Sequence, residues 1–259
     1  MTASNCGQGA DRKGDGPEYR FTMAFQPIFD VERGEIFAHE ALLRTPSGGS
    51  AAEILNKVPP EHRYTFDQTC RVRAIELASA YDMREALSIN LAPNALHDPD
   101  ACIARTVWAA ERYDFPVEQI VFEFTEAERI ADIDHLGRVI ERYRACGFRT
   151  AVDDFGAGYS GLGLLAELQP DIIKIDIKLV RGLDADPVRQ DILNNVKDLA
   201  DRLGIIVVAE GVETADELGC LMEIGIVRVQ GFLLARPQLG GLVPPEVLRA
   251  AAAAPRLAC

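Results

Sequence analysis

The sequence predicts an α/β protein, a TIM-like (β/α)8 barrel whose first strand is antiparallel. Three observations predict it. Eight short apolar runs alternate with amphipathic stretches from Phe21 onward. Most of these runs are continuous β-branched or aromatic segments, as expected of parallel strands buried on both faces. The chain of 259 residues has the length of one barrel-type domain or of two small domains. Between the first two runs stands only DVERGE. Parallel neighbours need a crossover of roughly a dozen residues, so these two runs must form an antiparallel hairpin that turns at Gly34.

The strands are expected at 23–29, 35–42, 87–91, 120–125, 149–154, 171–176, 205–210 and 226–231. Helices fall between them with readable ends. Over 62–82, Phe66, Cys70, Ala74 and Leu77 share a face. Over 132–146, Ile133, Leu136, Ile140 and Tyr143 do the same, with Gly147 behind them. Over 186–203, Asp186 caps, Pro187 suits the first turn, and Gly204 suits a left-handed stop. The apolar stripe expected on that helix is Ile192, Val196, Leu199 and Leu203. Residues 1–20 are polar and glycine-rich and read as a disordered leader. The barrel is assigned to 21–245, and 246–259 to an alanine-rich C-terminal helix and tail that Pro255 ends.

Composition narrows the function. The formal net charge of −13 lacks the basic face that binding a DNA or RNA duplex, or anionic lipid, requires. The six cysteines show no CxxC pair and no zinc spacing. No signal peptide and no membrane-length apolar segment is present, and a cytoplasmic location is expected.

Polar residues recur at the same end of successive strands: Glu40, Asn90, Glu123, Asp153 with Asp154, Lys174, Glu210 and Gln230. In a barrel these ends form the active face. Five carboxylates, two amides and a lysine brought together would repel and desolvate unless a divalent cation compensated them. Oxygen donors without His or Cys favour Mg²⁺ or Mn²⁺ over zinc. Lys174 reads either as a salt-bridge partner or as a cation that orients water. Glu210 reads as a metal ligand or a general base. For Glu213, a carboxylate at a helix N-terminus serves as well as a catalytic role. DDFGAGYSG at 153–161 is a loop beside these acids, and it is no P-loop because it lacks the GK[ST] ending.

The motifs EALLR at 40–44, QPIFD at 26–30, SINLAP at 88–93, FEFTE at 122–126, DDFGAGYSGL at 153–162, KID at 174–176, AEGVET at 209–214 and QGFLLARP at 230–237 resemble the EAL family. These are bacterial phosphodiesterases that hydrolyse cyclic di-GMP, and the resemblance spans about 21–240. It implies the same barrel with its reversed first strand. It implies two divalent cations, Mg²⁺ or Mn²⁺. Glu40, Asn90, Glu123 and Asp153 would hold the first, and Asp153, Asp154 and Glu210 the second. Lys174 would position the attacking water, with Glu210 as ligand, base or both, and Gln230 would help order that water. Arg44 and the backbone near Leu42 would contact a substrate phosphate, with Asp176 also on the substrate side. Gln26 and Pro237 would neighbour a guanine base, and Glu126 would anchor the glycine-rich loop. Linear 5′-pGpG would be the product and a homodimer the assembly. Ca²⁺, larger and less demanding in geometry, is expected to inhibit. The loop TPSGGSAAE after EALLR resembles a shorter subtype of the family, and Ala157 stands where threonine is common.

Two rivals remain on the sequence alone. One is a catalytically silent cyclic-di-GMP receptor or protein-interaction module on the same fold, although no acidic ligand is missing. The other is an unrelated metal-dependent barrel of the enolising kind, which would need a Lys or His base placed for carbon chemistry.

Overall fold

A computed structural model describes residues 19–91, 99–125, 133–158 and 161–253. The strands are β1 (Thr22–Asp30), β2 (Glu35–Arg44), β3 (Ala86–Asn90), β4 (Ile120–Thr125), β5 (Arg149–Phe155), β6 (Ile172–Ile175), β7 (Ile206–Ala209), β8 (Arg228–Val229) and β9 (Gln238–Leu239). β2 to β8 pair in sequence, parallel throughout, and β1 closes the circle between β8 and β2. β1 is antiparallel to both neighbours, as the short DVERGE connection requires. The turn is made by Gly34, left-handed at φ 68°, whose N–H donates to the Asp30 carbonyl at 2.9 Å. β9 adds two residues to the edge of β1, at Ala24 and Phe25. A strand that short leaves no periodicity in the sequence.

Around the barrel lie α1 (Ala51–Leu55), α2 (Arg63–Ala80), α3 (Pro99–Arg112), α4 (Ile133–Ala145), α5 (Gly161–Leu168), α6 (Ile177–Val180), α7 (Pro187–Leu203), α8 (Ala215–Ile224) and α9 (Pro245–Ala252). α7 begins and ends as the sequence predicts: Asp186 accepts from the N–H groups of Val188 and Arg189, and Gly204 is left-handed. Its expected stripe is rotated, however. Leu193 and Ala200 are fully buried, whereas Ile192 and Leu203 are about half exposed. The adjacent pair Ile192–Leu193 offers two apolar registers about 100° apart, and packing on the barrel selects the second. On α4, Leu136, Val139, Ile140 and Tyr143 are buried, and on α2 Phe66, Ala74 and Leu77.

One apolar core fills the layer between strands and helices. A second, smaller one lies inside the barrel: Ile28, Ala38, Ala86, Val121, Ala151, Ile172 and Val208, one from each of β1 to β7. Three alanines among the seven suit the narrow interior of an eight-strand barrel. This ring is the floor of the site. Residues 1–18 of the predicted leader and 254–259 of the tail lie outside the described residues. Tyr19 packs edge-on against Phe66, with ring centroids 5.3 Å apart.

Candidate active site

Side chains alternate along a strand, so the residue two positions beyond each floor residue faces the same interior. Moving towards the mouth, Ala38 is followed by Glu40, Ala86 by Ser88, Val121 by Glu123, Ala151 by Asp153, Ile172 by Lys174 and Val208 by Glu210. On β1, which runs the other way, Gln26 precedes Ile28. A polar ring thus sits directly on the apolar floor. Glu40 is not at a strand end as the sequence suggests, because the β1–β2 ladder continues from Gln26↔Glu40 to Thr22↔Arg44. The adjoining His39 faces outward, is fully buried, and is held neutral by burial against a weaker pull from Glu85, its pKa near 4.

Lys174, 1% exposed, stands at the centre of the ring. Its Nζ lies 2.6 Å from Glu210 Oε1, 2.9 Å from Glu123 Oε2, and 3.1 Å from both Glu40 Oε2 and Asp153 Oδ1. Burial alone would discharge this ammonium, but Glu123, Glu40, Glu210 and Asp153 hold its pKa well above the usual lysine range. Burial also disfavours the Glu40 carboxylate; Lys174 and hydrogen bonds from Gln230 and Asn90 outweigh it and leave that group below its ordinary value. Glu123 goes the other way: burial, with Glu40 and Asp153 against the pull of Lys174, raises it well above the carboxylate range. Glu210 rises to about 8, mainly by burial, with Lys174 opposing and Asp153 and Glu40 adding. One ammonium does not neutralise so many acids. Protons or a cation must supply the rest.

Asp153 and Asp154 reach the same site although neighbours on a strand point apart. The β5–β6 register breaks between Val152 and Phe155, and Asp154 is left-handed at φ 54°. Asp and Asn tolerate this region better than other side chains, but it remains strained. The twist brings oxygens of Asp153, Asp154 and Glu210 within 4.8 Å of one another, the spacing of a divalent cation's ligand set. Burial, then Asp153 and Asp176, raise Asp154 to about 6. Glu123 Oε1 is buried with no hydrogen-bond partner. An all-oxygen set with an orphaned carboxylate oxygen fits a hard cation such as Mg²⁺ or Mn²⁺.

The structure brings most of the sequence-predicted residues together. Asn90 donates to Glu40 Oε1 at 3.1 Å, and Gln230 donates to Glu40 Oε2 at 2.8 Å and to Gln26 Oε1 at 3.2 Å. Gln26 in turn donates to the Ala235 carbonyl at 3.2 Å. Above them opens a cleft of ≈ 290 Å³ whose walls include Gln26, Asp153, Asp154, Asp176, Glu210 and Phe232. Asp176 caps α6 by accepting from Lys178 N–H at 2.9 Å. Leu42, Arg44 and Pro237 do not line the cleft. Arg44 instead donates to the carbonyl of Leu43 at 2.8 Å. Glu126 lies outside the described residues.

Sequence reading missed Phe232, half exposed on the cleft wall with the Arg236 guanidinium 4.1 Å above its ring. Gly231 beside it is obligatory, since a Cβ there would stand 2.0 Å from the Val212 carbonyl oxygen. A glycine directly after Gln230 was the available signal.

The EAL domain profile matches residues 17–237. Among curated proteins, the chain is 33% identical over 240 residues to the blue light- and temperature-regulated antirepressor BluF of Escherichia coli K12. It is 35% identical over 232 residues to the cyclic di-GMP phosphodiesterase PA2567 of Pseudomonas aeruginosa. These matches cover 90% and 86% of this chain, but only 59% and 39% of those proteins. Among solved structures, a standalone versatile EAL protein from Vibrio cholerae O395, in its c-di-GMP-bound form, superposes with a TM-score of 0.85 at 46% identity. That match covers 90% of this chain and 99% of the other. Klebsiella pneumoniae BlrP1, solved as a manganese/cy-diGMP complex, gives a TM-score of 0.81 at 38% identity, covering 87% of this chain and 58% of that one.

Proposed function

The chain belongs to the EAL domain family, and we propose that it is a cation-dependent phosphodiesterase that opens cyclic di-GMP to linear 5′-pGpG. The observation that carries this reading is the polar ring itself: Glu40, Glu123, Asp153 and Glu210 around one lysine, with Asp154 twisted in to join them. No member of the expected acidic set is lacking.

Glu40, Asn90, Glu123 and Asp153 would hold one cation, and Asp153, Asp154 and Glu210 a second. Once bound, such cations lower the pKa of water and offset charge on the phosphoryl oxygens. The chain's own residues do the rest. Lys174 fixes the carboxylates and presents a positive charge to the incoming oxygen. Glu210, 2.6 Å from the Lys174 ammonium at the barrel mouth, would take the proton of the attacking water. That oxygen forms the new bond to phosphorus, the bond to the 3′-oxygen breaks, and the proton passes to the departing oxygen. Gln230, fixed between Glu40 and Gln26, orders the water's approach. Gln26, Asp176 and the Phe232 wall would face the nucleotide, with Arg44 and the backbone near Leu42 at a substrate phosphate and Pro237 with Gln26 beside a guanine base. Glu126 is assigned to anchoring the loop after β5.

The expected assembly is a homodimer. The expected location is the cytoplasm; among the described residues no helix is long and apolar enough to cross a membrane. The antirepressor name of one relative favours a second reading, a cyclic-di-GMP-responsive regulator without turnover. Glu40→Ala in the presence of Mg²⁺ or Mn²⁺ tests the first reading: hydrolysis should be lost, and a rate equal to the wild type's would refute it.

A further inference from the structure

Glu217, outside the cleft, joins the two loops that carry its rim. It is the third residue of α8 and forms a capping box with Thr214, whose hydroxyl accepts from Glu217 N–H at 3.1 Å while Glu217 Oε2 accepts from Thr214 N–H at 3.1 Å. The same device on α1, Ser50 with Glu53, sits in solvent. Glu217 is only 2% exposed and does more. Its Oε2 also accepts from Glu213 N–H at 2.9 Å, and its Oε1 from Gly182 N–H at 3.1 Å and from the Arg181 guanidinium at 3.5 Å. Arg181 pairs with Glu213 at 2.8 Å and donates to the Gly211 carbonyl at 3.3 Å. One carboxylate therefore ties the segment after β6, the strand that carries Lys174, to the segment after β7, which begins at Glu210. The two segments meet again where Ile177 packs on Gly211, so closely that a Cβ at Gly211 would stand 2.4 Å from it.

A helix cap needs a bond or two at the helix N-terminus. Four donors from two loops, converging on a buried carboxylate, exceed that need, and the loops they join flank the shortest contact in the site. We propose that Glu217 is a positioning residue: by locking the β7 loop to the β6 loop it fixes Glu210 relative to Lys174, so cation affinity and turnover depend on it although it bonds to neither. The turnover half rests on the phosphodiesterase reading, and the cation half does not.

The test uses the full chain, with Glu217→Gln and Arg181→Met compared by Mn²⁺ titration calorimetry and by kcat and KM on cyclic di-GMP. Groups that orient ligands without binding the metal typically cost ~10-fold or more in metal affinity when altered. Glu217→Gln should weaken Mn²⁺ binding by about 10-fold and lower kcat similarly, with KM little changed; Arg181→Met should move both the same way by roughly 3-fold. A cap alone would shift only the melting temperature. A folded Glu217→Gln protein with Mn²⁺ affinity and kcat within about twofold of wild type overturns the proposal. Should that variant not fold, Arg181→Met decides, since its side chain is 40% exposed, and an unchanged Mn²⁺ affinity there overturns the proposal equally. A wild type that binds Mn²⁺ without hydrolysis would sink the phosphodiesterase reading and leave the affinity comparison intact.

Discussion

Lys174 Nζ lies 2.6 Å from Glu210 Oε1, the shortest of four ion pairs this buried ammonium makes. It is the cation around which the acids can pack. Lys174→Met removes it while keeping most of the stem. Breaking a buried pair from one side costs about 3–5 kcal/mol. Denaturant melts in EDTA should show a loss of that order, and hydrolysis should fall by roughly 100-fold or more. A variant as stable and active as wild type would mean that the lysine is a spectator.

The pH dependence follows from Glu210 near 8 and Asp154 near 6, both above their ordinary values. A carboxyl whose pKa rises on folding favours the folded state at low pH and loses that contribution as pH climbs through the folded value. The cation-free protein should therefore lose stability from these two groups between about pH 4 and pH 8. Cations need the deprotonated forms, so the melting-temperature gain from Mn²⁺ should grow from pH 6 to pH 8.5. Thermal melts with Mn²⁺ or EDTA check this, and a gain that shrinks with pH would contradict it.

Asp154 separates conformation from charge. Asn accepts the left-handed φ of 54°, whereas a β-branched side chain does not. Asp154→Asn should keep the fold and weaken Mn²⁺ binding; Asp154→Val should add a stability loss of about 1–3 kcal/mol. Equal melting temperatures for the two variants would contradict the strained geometry.

Gly231→Ala places a methyl 2.0 Å from the Val212 carbonyl oxygen, backbone rather than the end of a flexible side chain. The loop carrying Gln230 and Phe232 must shift. A stability loss of about 3 kcal/mol or more is expected, with impaired binding of nucleotide. Wild-type melting behaviour would refute the contact.

Ca²⁺ should occupy the acids and support little turnover, since it tolerates looser geometry than Mg²⁺. Competition against Mn²⁺ in the hydrolysis assay checks this. Equal rates with either ion would count against a geometry-sensitive step.

What the sequence revealed depended on how far apart the partners lie along the chain. The barrel follows from strand runs, and the reversed β1 from six residues too few for a helix, both local facts. The acids were legible because the alternation that buries Ala38 and Val121 also aims Glu40 and Glu123 inward. Asp154 was legible as an acid but not as a bend, because its left-handed turn answers to the broken β5–β6 register. The α7 stripe failed because two adjacent apolar residues offered two faces. Thr214-Ala215-Asp216-Glu217 carried the capping-box signature in plain view, but its reach to Gly182 depends on the meeting of two loops, and no local pattern records that.

The most direct measurement is chromatography of cyclic di-GMP incubated with the protein in Mn²⁺, in parallel with EDTA. Conversion to linear pGpG in Mn²⁺ alone is the predicted result. Unchanged cyclic di-GMP in both samples, or equal conversion in both, would contradict the account.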